Sequence, residues 1–266
     1  MKKIGFIGVG NMGLPMMKGA IQAFGNQDIL YTDVNEDRLR YVENVLNIPY
    51  LTSNEQCIVQ SDMIVLAIKP QFLKDALEKL KGNNLNDKIF ISIAPGIHIS
   101  KIKEILGEDI RVVRAMPNTP AMVLAGMSAI CFSSDRYTDD DRDFIFQFFN
   151  SFGETVELNE KQLDMVVPVS GSSPAYVYML IEAMADAGVL FGLPRDVAYK
   201  LAAQSVYGSA KMVLETGEHP GALKDAVCSP GGTTIEAVSS LERTGFRSSI
   251  IEAMKVCYEK TLSFSK

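Results

Sequence analysis

Lys3-Ile4-Gly5-Phe6-Ile7-Gly8-Val9-Gly10-Asn11-Met12-Gly13 is the stretch that decides the fold. An apolar run of strand length ends in G-x-G-x-x-G, and a helical pattern follows from Gly13 to about Ala23. In that setting each glycine has a task. Gly8 permits a tight turn, Gly10 lets a ligand approach the backbone, and Gly13 lets the helix pack on the strand. The helix N-terminus offers free N–H groups and a positive dipole end to a pyrophosphate. An acid, Asp33, falls twenty residues beyond Gly13, the spacing of a ribose-binding carboxylate. The stretch reads as a dinucleotide-binding turn, with Gly8, Gly10, Asn11, Met12 and Gly13 at the pyrophosphate.

Outward from this turn, the first half of the chain alternates β-rich runs with helical stretches. Strands are expected at Lys3–Gly8, Asp28–Thr32, Met63–Ala67, Ile89–Ile93 and Ile110–Ala115. Helices are expected near Gly13–Ala23, Glu36–Val45, Asn54–Gln60, Gln71–Leu80 and Ser100–Leu106. Nearly continuous apolar strands separated by helices imply a parallel sheet covered on both faces. Met127–Phe132, Asp139–Phe152 and Glu154–Leu158 read as a further strand, helix and strand. After about Asn159 the pattern becomes helical throughout, over Ala175–Leu190, Arg195–Glu215, Thr234–Glu242 and Phe246–Leu262. The expected architecture is therefore an α/β Rossmann-type domain over residues 1–160, followed by an all-α domain over residues 161–266.

Composition narrows the function. Of 266 residues, 47% are hydrophobic and 22% charged, and the net charge is −6, which disfavours nucleic acid and anionic membranes as partners. The first ten residues superficially resemble a signal peptide, but the apolar run is short, glycine-rich and lacks a small-residue cleavage site. No run of about eighteen apolar residues suggests a membrane span. Cys57, Cys131, Cys228 and Cys257 lie far apart without CxxC spacing, and His98 and His219 are the only histidines. No metal site is expected, the thiols should be reduced, and the cytoplasm is the expected compartment. His98, His219, Tyr176 and Tyr178 read as structural.

Several residues carry competing readings. Asp33 could accept from both ribose hydroxyls of NAD, or turn aside so that Asn35 and Arg38 meet a 2′-phosphate, or cap a helix. Ser229-Pro230-Gly231-Gly232-Thr233-Thr234 is a glycine turn entering a helix. Its backbone N–H groups and hydroxyls suit a small carboxylate, although an ordinary loop with a threonine cap explains the residues taken alone.

Four further segments carry a resemblance: Leu66-Ala67-Ile68-Lys69-Pro70-Gln71, Arg114-Ala115-Met116-Pro117-Asn118-Thr119-Pro120, Val169-Ser170-Gly171-Ser172-Ser173-Pro174-Ala175-Tyr176, and Ala226–Thr234. In this order, and spanning residues 1 to about 245, they resemble the pyrroline-5-carboxylate reductases. The resemblance implies reduction of 1-pyrroline-5-carboxylate to L-proline by NADPH, with NADH as the alternative donor. It places Ser229, Gly232, Thr233 and Thr234 at the substrate carboxylate and the Thr234 hydroxyl near the ring nitrogen, as the catalytic contact. It places Ala67, Ile68, Lys69 and Pro70 against the ribose and nicotinamide half, and Ile93, Ala94 and Pro95 on the nicotinamide side. Asn54 would lie near the adenosine ribose and Glu160 near the substrate amine; helix capping and a solvated surface acid are the plainer readings of these two. The resemblance also implies a homodimer with intertwined helical domains, able to associate into a decamer.

This sequence departs from the family pattern at Ser173 and Pro95, where small residues are usual, and at Ala226, where some relatives have Asn. Three other functions compete, of which another imine reductase of similar architecture is disfavoured by Ser229–Thr234. A β-hydroxyacid dehydrogenase would need a general base, a lysine on the long helix after a glycine-rich turn. Ser170 to Glu182 contains no lysine. A non-catalytic redox sensor would retain Gly8–Gly13 but has no use for Ser229–Thr234.

Overall fold

Residues 2–264 are described by a computed structural model, in which the chain divides into two compact units. One runs through Ser172 and takes back the chain from Cys257; the other is Ser173–Val256.

The first unit is built on a seven-stranded sheet of order β2-β1-β3-β4-β5-β6-β7. The strands are β1 (Ile4–Ile7), β2 (Ile29–Thr32), β3 (Met63–Leu66), β4 (Ile89–Ser92), β5 (Arg111–Met116), β6 (Gly126–Phe132) and β7 (Gly153–Glu157). All pairings are parallel except β5 with β6. β1, β3 and β4 are buried at every position, as their uninterrupted apolar runs require. Helices α1 (Gly13–Phe24), α2 (Glu36–Leu46) and α6 (Asp139–Asn150) pack their apolar residues on one face, where Phe6, Phe148, Phe149 and Phe152 meet. Helices α3 (Asn54–Gln60), α4 (Pro70–Glu78), α5 (Ile99–Leu106) and α7 (Glu160–Val166) cover the other. α6 begins with a reciprocal cap between Thr138 and Asp141.

The first unit extends past residue 160 because α7 lies on the sheet, with Leu163 fully buried. The chain then widens into a π turn over Val167–Gly171, with Ser172 N–H donating to Val167 O at 2.7 Å. Pro168, which has no N–H to give a regular helix, sits in that turn.

The second unit is helical: α8 (Ser173–Leu190), α9 (Arg195–Thr216), α10 (Pro220–Val227), α11 (Thr233–Arg243), and the start of α12 (Phe246–Phe264). α8 and α9 form a hairpin whose close approach rests on small residues: Ala185, Ala198 and Ala202 are buried. A Cβ on Gly188 would lie 3.1 Å from that of Ala198. The reversal uses Gly192 at φ +101°, with Pro194 capping α9. Those three alanines are the buried hydrophobic residues of this unit, whereas Leu190, Phe191 and Leu214 are each more than 80% exposed. Tyr178, expected in a core, is 60% exposed. A helical unit of this size cannot hold itself together on three alanines, so its apolar faces call for a covering surface.

Candidate functional site

β1 pairs with β2 on one side and β3 on the other, so the chain reverses direction of travel across the sheet between β1 and β3. Ligands of open α/β sheets bind at such a switch point, beyond the carboxyl ends of the strands. Here those ends enclose a cavity of about 510 Å³. Its lining brings together Gly8 and Gly10 after β1, Asp33 and Asn35 after β2, Asn54 at the start of α3, and Ala67, Ile68 and Lys69 after β3.

The glycine turn divides its three residues by role. Gly8 sits at φ +97°, and a Cβ there would lie 2.5 Å from Ala67 O. A Cβ on Gly13 would lie 2.4 Å from Gly8 O. Both glycines are demanded by the chain itself. Gly10 differs: a Cβ there would meet nothing within 4 Å. The space it leaves faces no protein atom, which is the cradle a diphosphate needs, and α1 opens beside it with no side-chain cap on its first turn. Asn11 and Met12 complete the turn, Met12 standing at the N-cap.

Asp33 is turned inward. Its Oδ2 accepts from Val9 N–H at 2.8 Å and its Oδ1 from Asn35 N–H at 2.9 Å. It does not cap α2; that task falls to Asn35, whose side-chain oxygen accepts from Arg38 N–H. Arg38 reaches back, donating from Nε to Val9 O at 2.7 Å and from Nη2 to Gly10 O at 3.2 Å. Asn54 is likewise not a cap. Ser53 caps α3, which leaves Asn54 as the first helical residue, lining the cavity. Lys69 is exposed at the N-cap of α4 and Pro70 takes its first position, where a missing N–H costs nothing. Ile93, Ala94 and Pro95 follow β4, one strand further along the same sheet edge, outside the lining of this cavity. Ala94 is buried.

Sequence reading missed one wall. Phe72, Asp75, Ala76 and Lys79 line the cavity from α4, at the i, i+3, i+4, i+7 spacing of a single helix face. Phe72 is 57% exposed and Val34, opposite in the lining, 96% exposed. Two large apolar side chains left open beside a cavity mark this wall in the structure, and the sequence pattern by itself does not.

Glu160 is engaged within its own unit. Its Oε1 accepts from Ile99 N–H at 2.7 Å, at the start of α5, and lies 3.5 Å from Arg114 Nη1 and from His98 Nδ1. Arg114 is fully buried and donates from Nη2 to Asp164 at 2.5 Å, tying β5 to α7. Asn118, in the same motif, bridges elements in a different way: its Oδ1 accepts from Met127 N–H and its Nδ2 donates to Ser170 O. The residues of that motif thus have a structural task. His98 caps no backbone group but lies 3.2 Å from Arg114 Nη1.

In the helical unit, the turn Cys228–Gly232 joins α10 to α11. Gly231 adopts φ +67°, and Gly232 N–H donates to Ser229 O at 3.0 Å. A Cβ on Gly232 would lie 2.5 Å from Ser229 Oγ, a contact that rotation of the serine hydroxyl would relieve, and 3.1 Å from Ser229 O. Gly232, rather than a threonine, is the N-cap of α11, and no side chain caps it. The first-turn N–H groups of Thr233 and Thr234 therefore remain for a ligand, beside two hydroxyls.

Among the described residues no cluster of His, Cys, Asp and Glu could hold a metal, and no helix is long and apolar enough to cross a membrane. Comparison with known proteins completes the picture. A family model described as pyrroline-5-carboxylate reductase dimerisation matches residues 160–263. One described as NADP oxidoreductase, coenzyme F420-dependent, matches residues 3–96. Pyrroline-5-carboxylate reductase of Escherichia coli is 48% identical over 268 residues, covering 100% of this chain and 99% of its own. That of Methanosarcina acetivorans is 42% identical, covering 100% and 98%. The Plasmodium falciparum pyrroline carboxylate reductase, solved with NADP bound, superposes with a TM-score of 0.90 at 32% identity, covering 100% of this chain and 98% of its own. The chain belongs to the pyrroline-5-carboxylate reductase family.

Proposed function

We propose that this chain reduces the C=N bond of 1-pyrroline-5-carboxylate to give L-proline, with NADPH as hydride donor and NADH as the alternative. The observation that carries the substrate half is the uncapped start of α11 on Gly232, a carboxylate-sized set of N–H groups and hydroxyls in a family of this activity. The cofactor half is supported by the open space at Gly10 and by the NADP held in the Plasmodium relative.

When bound, the dinucleotide supplies hydride from nicotinamide C4 to ring carbon C5. The chain's part is to position and to hold charge. Gly8, Gly10, Asn11, Met12 and Gly13 receive the pyrophosphate on N–H groups. Asn35 and Asn54 face the adenosine end, and Ala67–Pro70 with Ile93–Pro95 line the reacting half. Ser229, Gly232 and Thr233 hold the substrate carboxylate. The Thr234 hydroxyl contacts the ring nitrogen, which ends protonated from solvent. The iminium form is electrophilic without further activation, so orientation of two planar rings supplies most of the rate. No buried lysine is needed, and Ser170 to Glu182 has none, which separates this reading from alcohol oxidation. Glu160 is retained as a residue near the substrate amine through its free Oε2, with Oε1 held by Ile99 N–H.

The helical unit, Ser173–Val256, serves substrate binding and dimerisation, its exposed apolar faces being covered by a second copy. The dimer is the minimal assembly, a decamer its larger form, and the cytoplasm its compartment. Initial rates with 1-pyrroline-5-carboxylate and either reduced dinucleotide test the proposal. Folded protein that binds dinucleotide yet gives no substrate-dependent oxidation would sink it.

A further inference from the structure

Pro168 and Pro174 shape the passage from α7 to α8. Pro168 has no N–H for a regular helix, and the chain widens there into the π turn Val167–Gly171. In a continuing helix Ser170 O would accept from the N–H four residues on, but that residue is Pro174, which has none. The carbonyl is answered from the sheet instead: Asn118 Nδ2 donates to it at 3.0 Å. The other end of the same amide closes a second gap. β5 pairs with β6 only as far as Met116 opposite Ala129, so Met127, earlier in β6, lies past the end of that ladder. Its N–H donates to Asn118 Oδ1 at 2.8 Å. Asn118 is 9% exposed, and both ends of its amide meet backbone groups that the chain otherwise leaves without partners.

Along the carboxyl edge of the sheet the strands run β2, β1, β3, β4, β5. A dinucleotide with its adenosine end at β2 and its pyrophosphate at β1 carries its nicotinamide past β3 toward β4. A ring stacked on that nicotinamide then meets the next exit along, Met116-Pro117-Asn118 at the end of β5. The π turn lies over this exit: a Cβ on Gly171 would stand 3.9 Å from Met116 Cγ, in ordinary contact. Ser170 Oγ, buried in the same turn, has no hydrogen-bond partner among the described residues, so the Asn118 amide is what ties Ser170 to the sheet. Single-turn widenings of this kind recur at functional sites. We propose that Asn118 is a positioning residue for hydride transfer: by clasping the π turn over the exit of β5, it sets the wall that holds the cyclic imine face to face with the nicotinamide. Asn118 acts through the turn and touches neither ring.

The inference rests on the reductase reading above and concerns where the imine is held, not how the dinucleotide binds. Asn118→Asp keeps an acceptor for Met127 N–H and withdraws the donor from Ser170 O. In this variant NADPH should bind within about twofold of the parent by fluorescence titration, while kcat with 1-pyrroline-5-carboxylate falls about tenfold or more. When the preformed NADPH complex is mixed with excess imine, the single-turnover rate should fall by the same factor. Partial loss of folded protein would lower the amplitude of that phase and leave its rate alone, which separates positioning from stability. Asn118→Ala removes both bonds without adding a charge and serves if the aspartate variant folds poorly. A single-turnover rate within about twofold of the parent's would overturn the proposal, as would NADPH affinity lost by as much as the rate. A parent protein that does not turn over the imine would instead remove the reading on which the clasp rests, so the two failures are distinguishable.

Discussion

Alanine at Gly8 and at Gly10, two residues apart in one turn, should fail in opposite ways. At Gly8 the backbone is at φ +97°, and the added methyl would sit 2.5 Å from Ala67 O and 2.9 Å from Ala67 C, both backbone atoms of β3's exit. A left-handed L-residue costs roughly 1–2 kcal/mol and overpacking about 1–3 kcal/mol more, so Gly8→Ala should lose roughly 2–5 kcal/mol of stability. For a chain of this size that is roughly 5–15 °C in Tm. At Gly10 the methyl would meet nothing within 4 Å, and stability should hold within about 0.5 kcal/mol. The same methyl occupies the space where a diphosphate must approach, so dinucleotide affinity should fall at least about tenfold, roughly 1.4 kcal/mol. Thermal unfolding by circular dichroism, followed by fluorescence titration with NADPH, reads both quantities. A Gly10→Ala protein that melts as early as Gly8→Ala, or that binds NADPH like the parent, would refute the division of roles.

Four other outcomes follow from the structure. Thr234→Val should lower kcat by about tenfold or more with dinucleotide affinity unchanged, because the proposed role sets its hydroxyl at the ring nitrogen and not at the cofactor; steady-state kinetics beside a titration checks this. Burial by itself would raise the Asp141 carboxyl, but Lys2 and Thr138 hold it down to about 2, with Arg111 Nη1 at 2.8 Å. A depressed carboxylate contributes stability that is present above its unfolded value near 4 and lost as pH falls toward 2, about 2 kcal/mol here, so Asp141→Asn should flatten that part of a pH–stability profile. Asp164→Leu leaves the fully buried Arg114 without its 2.5 Å partner and should cost about 3–5 kcal/mol in denaturant unfolding. Burial pushes the Cys57 thiol up to about 12, so alkylation should spare Cys57 in native protein and reach it only on unfolding.

The sheet was legible because its strands are apolar runs bounded by turns: Met63–Leu66 and Ile89–Ser92 lie within one residue of where the sequence puts them. The glycine turn was legible from its spacing after a strand, and the structure shows Gly8 and Gly13 forced by the chain's own packing while Gly10 leaves space open. What the sequence hid is tertiary. Nothing in the spacing of Asp33 reveals that the N–H groups of Val9 and Asn35 donate to its two oxygens. The antiparallel β6 reads like any other strand, because pairing direction leaves no mark on local pattern. α7 was overlooked because it is short and runs into the π turn that holds Pro168, yet Leu163 and Asp164 bind it to the sheet and to Arg114. The lining face of α4 was visible as helical spacing, but Phe72 alone gave no reason to assign that face to a cavity.

The central claim is hydride transfer to a cyclic imine, and the most direct measurement of it uses NADPH deuterated at nicotinamide C4. Incubation with 1-pyrroline-5-carboxylate, then mass and NMR analysis of the amino acid formed, should give L-proline carrying a single deuterium at C5. Proline without label at C5, or oxidation of NADPH with no proline formed, would contradict the account.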